Sequence, residues 1–392
     1  MSNKEKTLVR GVCMLINTFY PLPPGGAERQ AELLSAYLSR KNIEVTVITR
    51  HVSPSPRYET RDGYHIVRVP QFGPGKIKTL TFTIGAILAI ISKRRSFDVL
   101  HAHLVHSPAF AAIIAGKLIG KKTIVMFGSS GLGSHLSESK TSPRTFVRMT
   151  VLKRWADRFI VLAEAMQNEL LLDGYVREHI IHMFNGVDTD HYAPQDGKQK
   201  ARANFGKQTG TLLVFTGRLV SIKNLPCLLR AFKKAVVQCK DLHLVLVGDG
   251  EERDSLIALT NELTLQSYVT FVGLVSNVHD YLQAADIFIL SSFAEGNSNS
   301  LLEAMSCGLA CISTRVGAAA EVLDNGKCGV LVEPDSVDQL ADSIIRLVSD
   351  PIEQKRLGAL ARQRVLDNYS IDAIGQKYLA LYNQVVNGDN IL

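Results

Sequence analysis

Short, almost wholly apolar runs alternate along the chain with longer segments in which apolar residues recur every three or four positions. A first series comprises VRGVCMLIN (9–17), EVTVIT (44–49), HIVRV (65–69), DVLHA (98–102), TIVMF (123–127), RFIVL (158–162) and HIIHMFNGVD (179–188). A second comprises TLLVFTG (211–217), LHLVLVG (242–248), YVTFVG (268–273) and DIFIL (286–290). Such runs predict strands covered on both faces, and the periodic segments between them predict helices. Strand–helix alternation of this kind defines an α/β class built on doubly wound parallel sheets. The polar stretch TDHYAPQDGKQKARANFGKQTG separates the two series. It predicts a first domain over 1–195 and a second over 196–369, with 370–392 a final helical segment that no strand follows. Ligands of such folds bind at the carboxyl ends of the strands, so the loops leaving the strands carry the candidate chemistry.

Residues 79–91, TLTFTIGAILAII, are the most apolar window, flanked by Lys76, Lys78 and the run KRR at 93–95. Thirteen residues are too few to span a bilayer. Two readings remain open: a buried helix with solvated basic ends, or a helix whose apolar face dips into a membrane while its flanks meet anionic head groups.

Composition narrows the class. With 392 residues, 46% of them hydrophobic and 21% charged, the chain has material for two ordinary globular cores and the profile of neither a disordered segment nor a repeat protein. Its six cysteines form no C-x-x-C pair and the first ten residues lack the apolar core of a signal peptide, so a reducing, cytoplasmic setting is expected. The net charge of +7 is unevenly spread: residues 1–190 hold 25 Lys+Arg against 15 Asp+Glu, the remainder 19 against 22. No basic stripe interleaved with aromatics accompanies this charge, so an anionic membrane surface or a phosphorylated substrate is expected, and no nucleic acid.

Four loops hold residue types with chemical use. Gly25-Gly26 lie between the first strand and a helix starting near Ala27. Glycines there permit a positive φ and expose N–H groups to an anion; a plain tight turn accounts for them equally. FTGRLVSIKN (215–224) offers Arg218 and Lys223, a planar fork and a point charge suited to a diphosphate. SSFAEGNSNSLLEAMSCG (291–308) carries Glu295 and Glu303, and Ser300-Leu-Leu-Glu303 fits the capping-box pattern at a helix start. The same helix start can instead face a phosphate while Glu303 accepts hydrogen bonds from paired sugar hydroxyls. HAHLVH (101–106) puts His101 and His103 on one strand face, a spacing that can bind metal, although no carboxylate or histidine set accompanies it; strand-end histidines lining a cleft are the simpler reading. VGDGEERD (247–254) is only half a dinucleotide loop, with Arg253 where the third glycine belongs.

Taken in order, PPGGAE (23–28), DVLHAH (98–103), FNGVD (184–188), FTGRLVSIKN, LVGDGEER (246–253), EGNSNSLLEAMSCGLACIST (295–314) and NGKCGVLVEPDS (325–336) resemble the family-four retaining nucleotide-sugar glycosyltransferases over nearly the whole chain. The resemblance implies the GT-B fold: two Rossmann-like domains facing a central cleft, with the final helix crossing back to the first. It implies an acceptor-binding first domain and a second that binds the nucleotide-sugar, expected to be UDP-linked. Arg218 and Lys223 would then bind the donor diphosphate, with the Gly25–Gly26 loop closing over it. Glu303 would hold the ribose, backbone near Asn299 and Ser300 the phosphate, backbone near Val275 the base, and Glu295 would lie beside the transferred sugar. The acceptor would be a glycan, a lipid-linked or a small molecule; the charge of the first domain and the 79–91 window, apart from the resemblance, raise peripheral membrane contact through that domain. No cofactor or metal is implied, because the two cations supply the charge. The sequence departs from the family pattern at Phe127, where many members have a histidine; His103, Gly128, Ser129 and His135 are the candidate acceptor or sugar contacts there. A same-fold sugar-nucleotide epimerase and a metal-dependent hydrolase using His101 and His103 are the rival readings.

Overall fold

The computed structural model describes residues 8–21, 25–105, 107–128, 143–194, 202, 210–239 and 241–388. They fall into two compact units, one of 1–186 with 371–392 and one of 187–370. The first unit has an eight-stranded sheet formed by β1 (Gly11–Leu15), β2 (Glu44–Arg50), β3 (Tyr58–Arg61), β4 (Tyr64–Val69), β5 (Val99–His103), β6 (Lys122–Met126), β7 (Arg158–Val161) and β8 (Ile180–His182). Their spatial order is β3-β4-β2-β1-β5-β6-β7-β8, parallel except where β3 pairs with β4. That edge hairpin was not expected: TyrGluThrArg is polar and lies in no apolar run. Asp62 and Gly63, both at positive φ, make its two-residue turn, and the Asp-Gly pair is the sequence signal for it.

The second unit has six parallel strands: β9 (Thr211–Thr216), β10 (Leu242–Val247), β11 (Val269–Gly273), β12 (Ile287–Leu290), β13 (Ala310–Thr314) and β14 (Val330–Val332), in the order β11-β10-β9-β12-β13-β14. In both sheets the order reverses beside the first strand, between β1 and β5 in one and between β9 and β12 in the other. The loops that leave these strands open at a switch point, where such sheets bind ligands. The core explains the apolar runs: β1, β5 and β12 are buried at every position because helices cover both faces, and so is β13, which belongs to neither series of runs.

Two packing details set where the chain crosses between units. Arg362, on the helix Pro351–Asn368, donates to the carbonyls of Thr189, Tyr192 and Ser306. Its hydrogen bonds tie segment 187–194 to the second unit, although the polar stretch after it suggests a later boundary. The last helix, Ile371–Asn387, returns to the first unit against α1 (Gly26–Arg40). Gly375 makes that approach tolerable, since a Cβ there would lie 2.3 Å from the Tyr37 ring. Asn383 Oδ1 accepts from Val9 N at 2.8 Å, and Tyr382 reaches His101 on β5.

Candidate active site

In the second unit the loops after β9 and β12 are held together by their backbones. Gly217, at φ 152°, leaves β9; Arg218 follows with its side chain exposed and no ion pair among the described residues. The turn Ser221–Lys223 ends at Asn224, which adopts a left-handed conformation and donates from Nδ2 to Asp335. Asparagine tolerates that conformation better than most residues, so Asn224 fixes the entry into the helix Leu225–Gln238. Phe293 N donates to Ile222 O, and Ser291 Oγ to Lys223 O, both at 2.8 Å. The carbonyl contacts clip the β12 loop onto the β9 turn.

Two side chains then meet. Lys223 Nζ lies 2.5 Å from Glu295 Oε1, and Ser292 Oγ donates to the same oxygen at 2.6 Å. Both partners are largely shielded, with side chains 16% and 14% exposed, so the pair is held more firmly than a surface ion pair. The Glu295 backbone is fixed too. Gly317 lies at φ 54°, and a Cβ there would come within 2.5 Å of Glu295 O; Ala318 N donates to Gly296 O. Sequence reading found Lys223 and Glu295 but missed Ser292, Asn224 and Gly317, whose roles arise from contacts between separate segments. The glycines of VGDG have a related explanation: a Cβ at Gly248 would lie 1.8 Å from Gly217 O, and one at Gly250 2.3 Å from Leu219 O. They serve the close approach of the β9 and β10 loops.

The helix that follows Glu295 spans Asn299–Ser306, and its N-cap is Ser298, whose hydroxyl accepts from Leu301 N at 3.4 Å. The expected Ser300–Glu303 box is therefore displaced. Ser300 occupies the second helical position and Leu301 the third, where a box needs Glu or Gln. Glu303 falls on the fifth position, half-buried, with Asn299 and Ser300 at the N-terminus before it. Val275 is half-buried two residues beyond β11, the edge strand two places from β9.

The corresponding place in the first unit differs. Gly25 is the N-cap of α1 with φ −78°, and Gly26 begins the helix; neither adopts the positive φ that would demand glycine. Both are exposed. A Cβ on Gly25 would press on the Glu28 carboxylate, which accepts from Thr18 Oγ1. At the end of β5, His101 and His103 stack with ring centroids 4.3 Å apart, and neither lines a cleft: both are buried, at 0% and 1% exposure. His101 Nδ1 shares a 2.8 Å hydrogen bond with Tyr382 Oη of the last helix. Both ring nitrogens of His103 are buried without a hydrogen-bond partner among the described residues. Burial holds both imidazoles neutral, His103 down to about 4 and His101 well below its usual value, the latter also because a proton on each of two stacked rings would repel. A metal pair is not what the geometry offers, and among the described residues no three His, Cys, Asp or Glu side chains could hold a metal ion. Phe127 is buried in an aromatic cluster with Phe159 and Tyr175. Gly128 accommodates Leu104, whose Cδ2 lies 2.3 Å from where a Cβ would stand. Ser129 and His135 lie outside the described residues.

Two α/β units, each built on a largely parallel sheet covered by helices, have the architecture of the GT-B class of glycosyltransferase. The family model for Glycosyltransferase Family 4 matches residues 24–191, and that for Glycosyl transferases group 1 matches residues 197–364. The chain belongs to this family-four type. The N-acetyl-alpha-D-glucosaminyl L-malate synthase of Bacillus anthracis is 27% identical over 326 residues, covering 83% of this chain and 85% of its own. A GDP-mannose-dependent alpha-(1-6)-phosphatidylinositol monomannoside mannosyltransferase of Mycolicibacterium smegmatis is 25% identical, covering 91% and 94%. Among solved structures, HepE of Anabaena in complex with UDP and glucose superposes with a TM-score of 0.78 at 19% identity, covering 94% of this chain and 98% of that one.

Proposed function

We propose that this glycosyltransferase retains anomeric configuration, takes its sugar from a UDP-linked donor and needs no metal ion, acting in polysaccharide or glycolipid biosynthesis. The observation that carries the reading is the Lys223–Glu295 pair beside the exposed Arg218, at the carboxyl ends of β9 and β12. Arg218 and Lys223 bind the diphosphate and stabilise the charge that grows on it as the bond from the sugar's anomeric carbon to the phosphate oxygen breaks. Backbone N–H groups near Asn299 and Ser300 meet a phosphate at the helix N-terminus. Glu303 accepts from the ribose hydroxyls, and backbone near Val275 meets the base. Glu295, oriented by Lys223 and Ser292, contacts the transferred sugar. The acceptor oxygen attacks from the face the diphosphate leaves, and its proton passes to the departing phosphate oxygen, so Glu295 is no nucleophile. In the first unit, the exposed Gly25–Gly26 N-terminus of α1 suits an anionic group.

The UDP complex of HepE supports uracil as the base, whereas the GDP-mannose-dependent relative supports guanine. The six cysteines include no C-x-x-C pair, in keeping with action in a reducing, cytoplasmic compartment. The test is nucleotide release from a panel of UDP- and GDP-sugars, with and without extracted membrane lipids and with a chelator. Acceptor-dependent UDP release insensitive to chelator, with the anomeric configuration retained by NMR, is expected. GDP release would overturn the choice of base. Donor conversion without acceptor would make the protein an epimerase, and chelator-sensitive activity would remove the metal-independent mechanism.

A further inference from the structure

The helix α2 (Gly75–Ser92) is amphipathic in an unusual sense, because both of its long faces are apolar. Phe82, Ala86 and Ile90 are buried, and the helix packs on α3 (Ser107–Ile119), β2 and β4. Ile77, Leu80, Ile84 and Leu88 recur at spacings of three and four on the other side, inside an arc of about 80° at 100° per residue. Together with Phe72 they are between 50% and 66% exposed. Phe72 belongs to the same surface: its backbone N–H and C=O both bond the hydroxyl of Thr81, which holds the preceding turn beside the stripe. Five neighbouring large apolar side chains left in water are more than scattered surface residues.

Charge identifies what covers them. Lys76 and Lys78 at one end and Lys93, Arg94 and Arg95 at the other are all exposed, and no acidic residue occurs between Asp62 and Asp98. An apolar stripe between two cationic clusters complements an anionic bilayer surface, with acyl chains at the centre and head groups at the rim. A second copy would bring the same cationic clusters together across a symmetric interface, which repels. The buried face of α2 keeps the helix on the fold, lying along a bilayer instead of crossing it. We infer that this face docks the enzyme on a membrane rich in anionic lipid, through Phe72, Ile77, Leu80, Ile84 and Leu88. The inference deepens the proposed reading by making the acceptor lipid-linked, while the docking itself stands on the helix alone.

Co-sedimentation of the full chain with phosphatidylcholine vesicles, with and without phosphatidylglycerol, tests it. Binding should require phosphatidylglycerol and weaken as salt is raised. Ile84→Glu with Leu88→Glu should lower vesicle affinity by about tenfold or more, since two charges then enter the apolar layer. Lys93→Glu with Arg94→Glu should weaken it at low salt and flatten the salt response. Neither variant should alter the circular dichroism spectrum or nucleotide release in detergent with a soluble acceptor. Detergent activity thus reads the enzymatic proposal separately. Failure of the wild type to bind anionic vesicles, or undiminished binding by the Ile84→Glu/Leu88→Glu variant, would overturn the inference. So would a concentration-dependent dimer that this variant abolishes, which would assign the face to a second copy.

Discussion

The two sheet switch points occupy equivalent places in similar folds and treat their polar residues in opposite ways. After β9 and β12, Arg218 is exposed and the Lys223–Glu295 pair sits at the edge of solvent, held by Ser292 and by backbone clips. At the end of β5, His101 and His103 are sealed from solvent and kept neutral, one of them bound to the last helix. Residue type alone therefore does not make a site. What separates the two is whether a distant part of the chain covers the strand end, as Tyr382 covers His101, or leaves it open.

The largest effect should come from the open end. If Arg218 and Lys223 stabilise a departing diphosphate, alanine at either should lower kcat by about 10²-fold or more and weaken donor binding less. Lys223→Arg should not fully restore turnover, because the planar fork cannot replace a point charge already oriented by Glu295. Steady-state kinetics with donor-binding isotherms read both quantities. Normal turnover in both alanine variants, with activity lost in a folded His103→Ala protein, would reverse the comparison.

A smaller effect separates recognition from helix capping. Glu303→Ala should weaken nucleotide-diphosphate binding by roughly 1.5–3 kcal/mol, the range for hydrogen bonds to a charged group. Ser298→Ala, which removes the observed cap, should cost about 1 kcal/mol of stability. Calorimetric UDP titration and urea unfolding of both variants check this. Equal UDP affinity in wild type and Glu303→Ala would confine Glu303 to a structural role.

The smallest effect concerns the sealed end. His103 is neutral in the folded protein down to about pH 4, whereas an unfolded histidine takes up a proton near 6.5. Between these values the unfolded chain binds the extra proton, so its contribution to stability is complete above about 6.5 and falls on acidification, by up to about 1.4 kcal/mol per pH unit. Urea midpoints across that window should drop for the wild type and drop less for His103→Leu. Identical profiles for the two would show that His103 titrates alike in both states.

Much of this was legible without coordinates. Continuous apolar runs determined the parallel-sheet strands, since only residues buried on both faces form them, and β1, β2, β5, β6, β9, β10 and β12 fall within or beside the runs. Arg218, Lys223 and Glu295 stood out as candidates because they lie in loops that leave apolar runs, and the structure brings Lys223 and Glu295 together. The short edge strand β3 escaped because its polar residues need bury nothing. The cap at Ser298 escaped because the loop is serine-rich and several serines fit the pattern equally well in sequence. The tertiary structure alone decided that His101 is a buried support, through Tyr382 at 281 residues' separation, and that Glu295 is fixed by Lys223 at 72. It also decided that α2 leaves one apolar face uncovered. Local pattern records how strongly a segment is driven to bury itself, whereas the neighbour that covers or spares a side chain comes from elsewhere in the chain and leaves no mark in the local pattern.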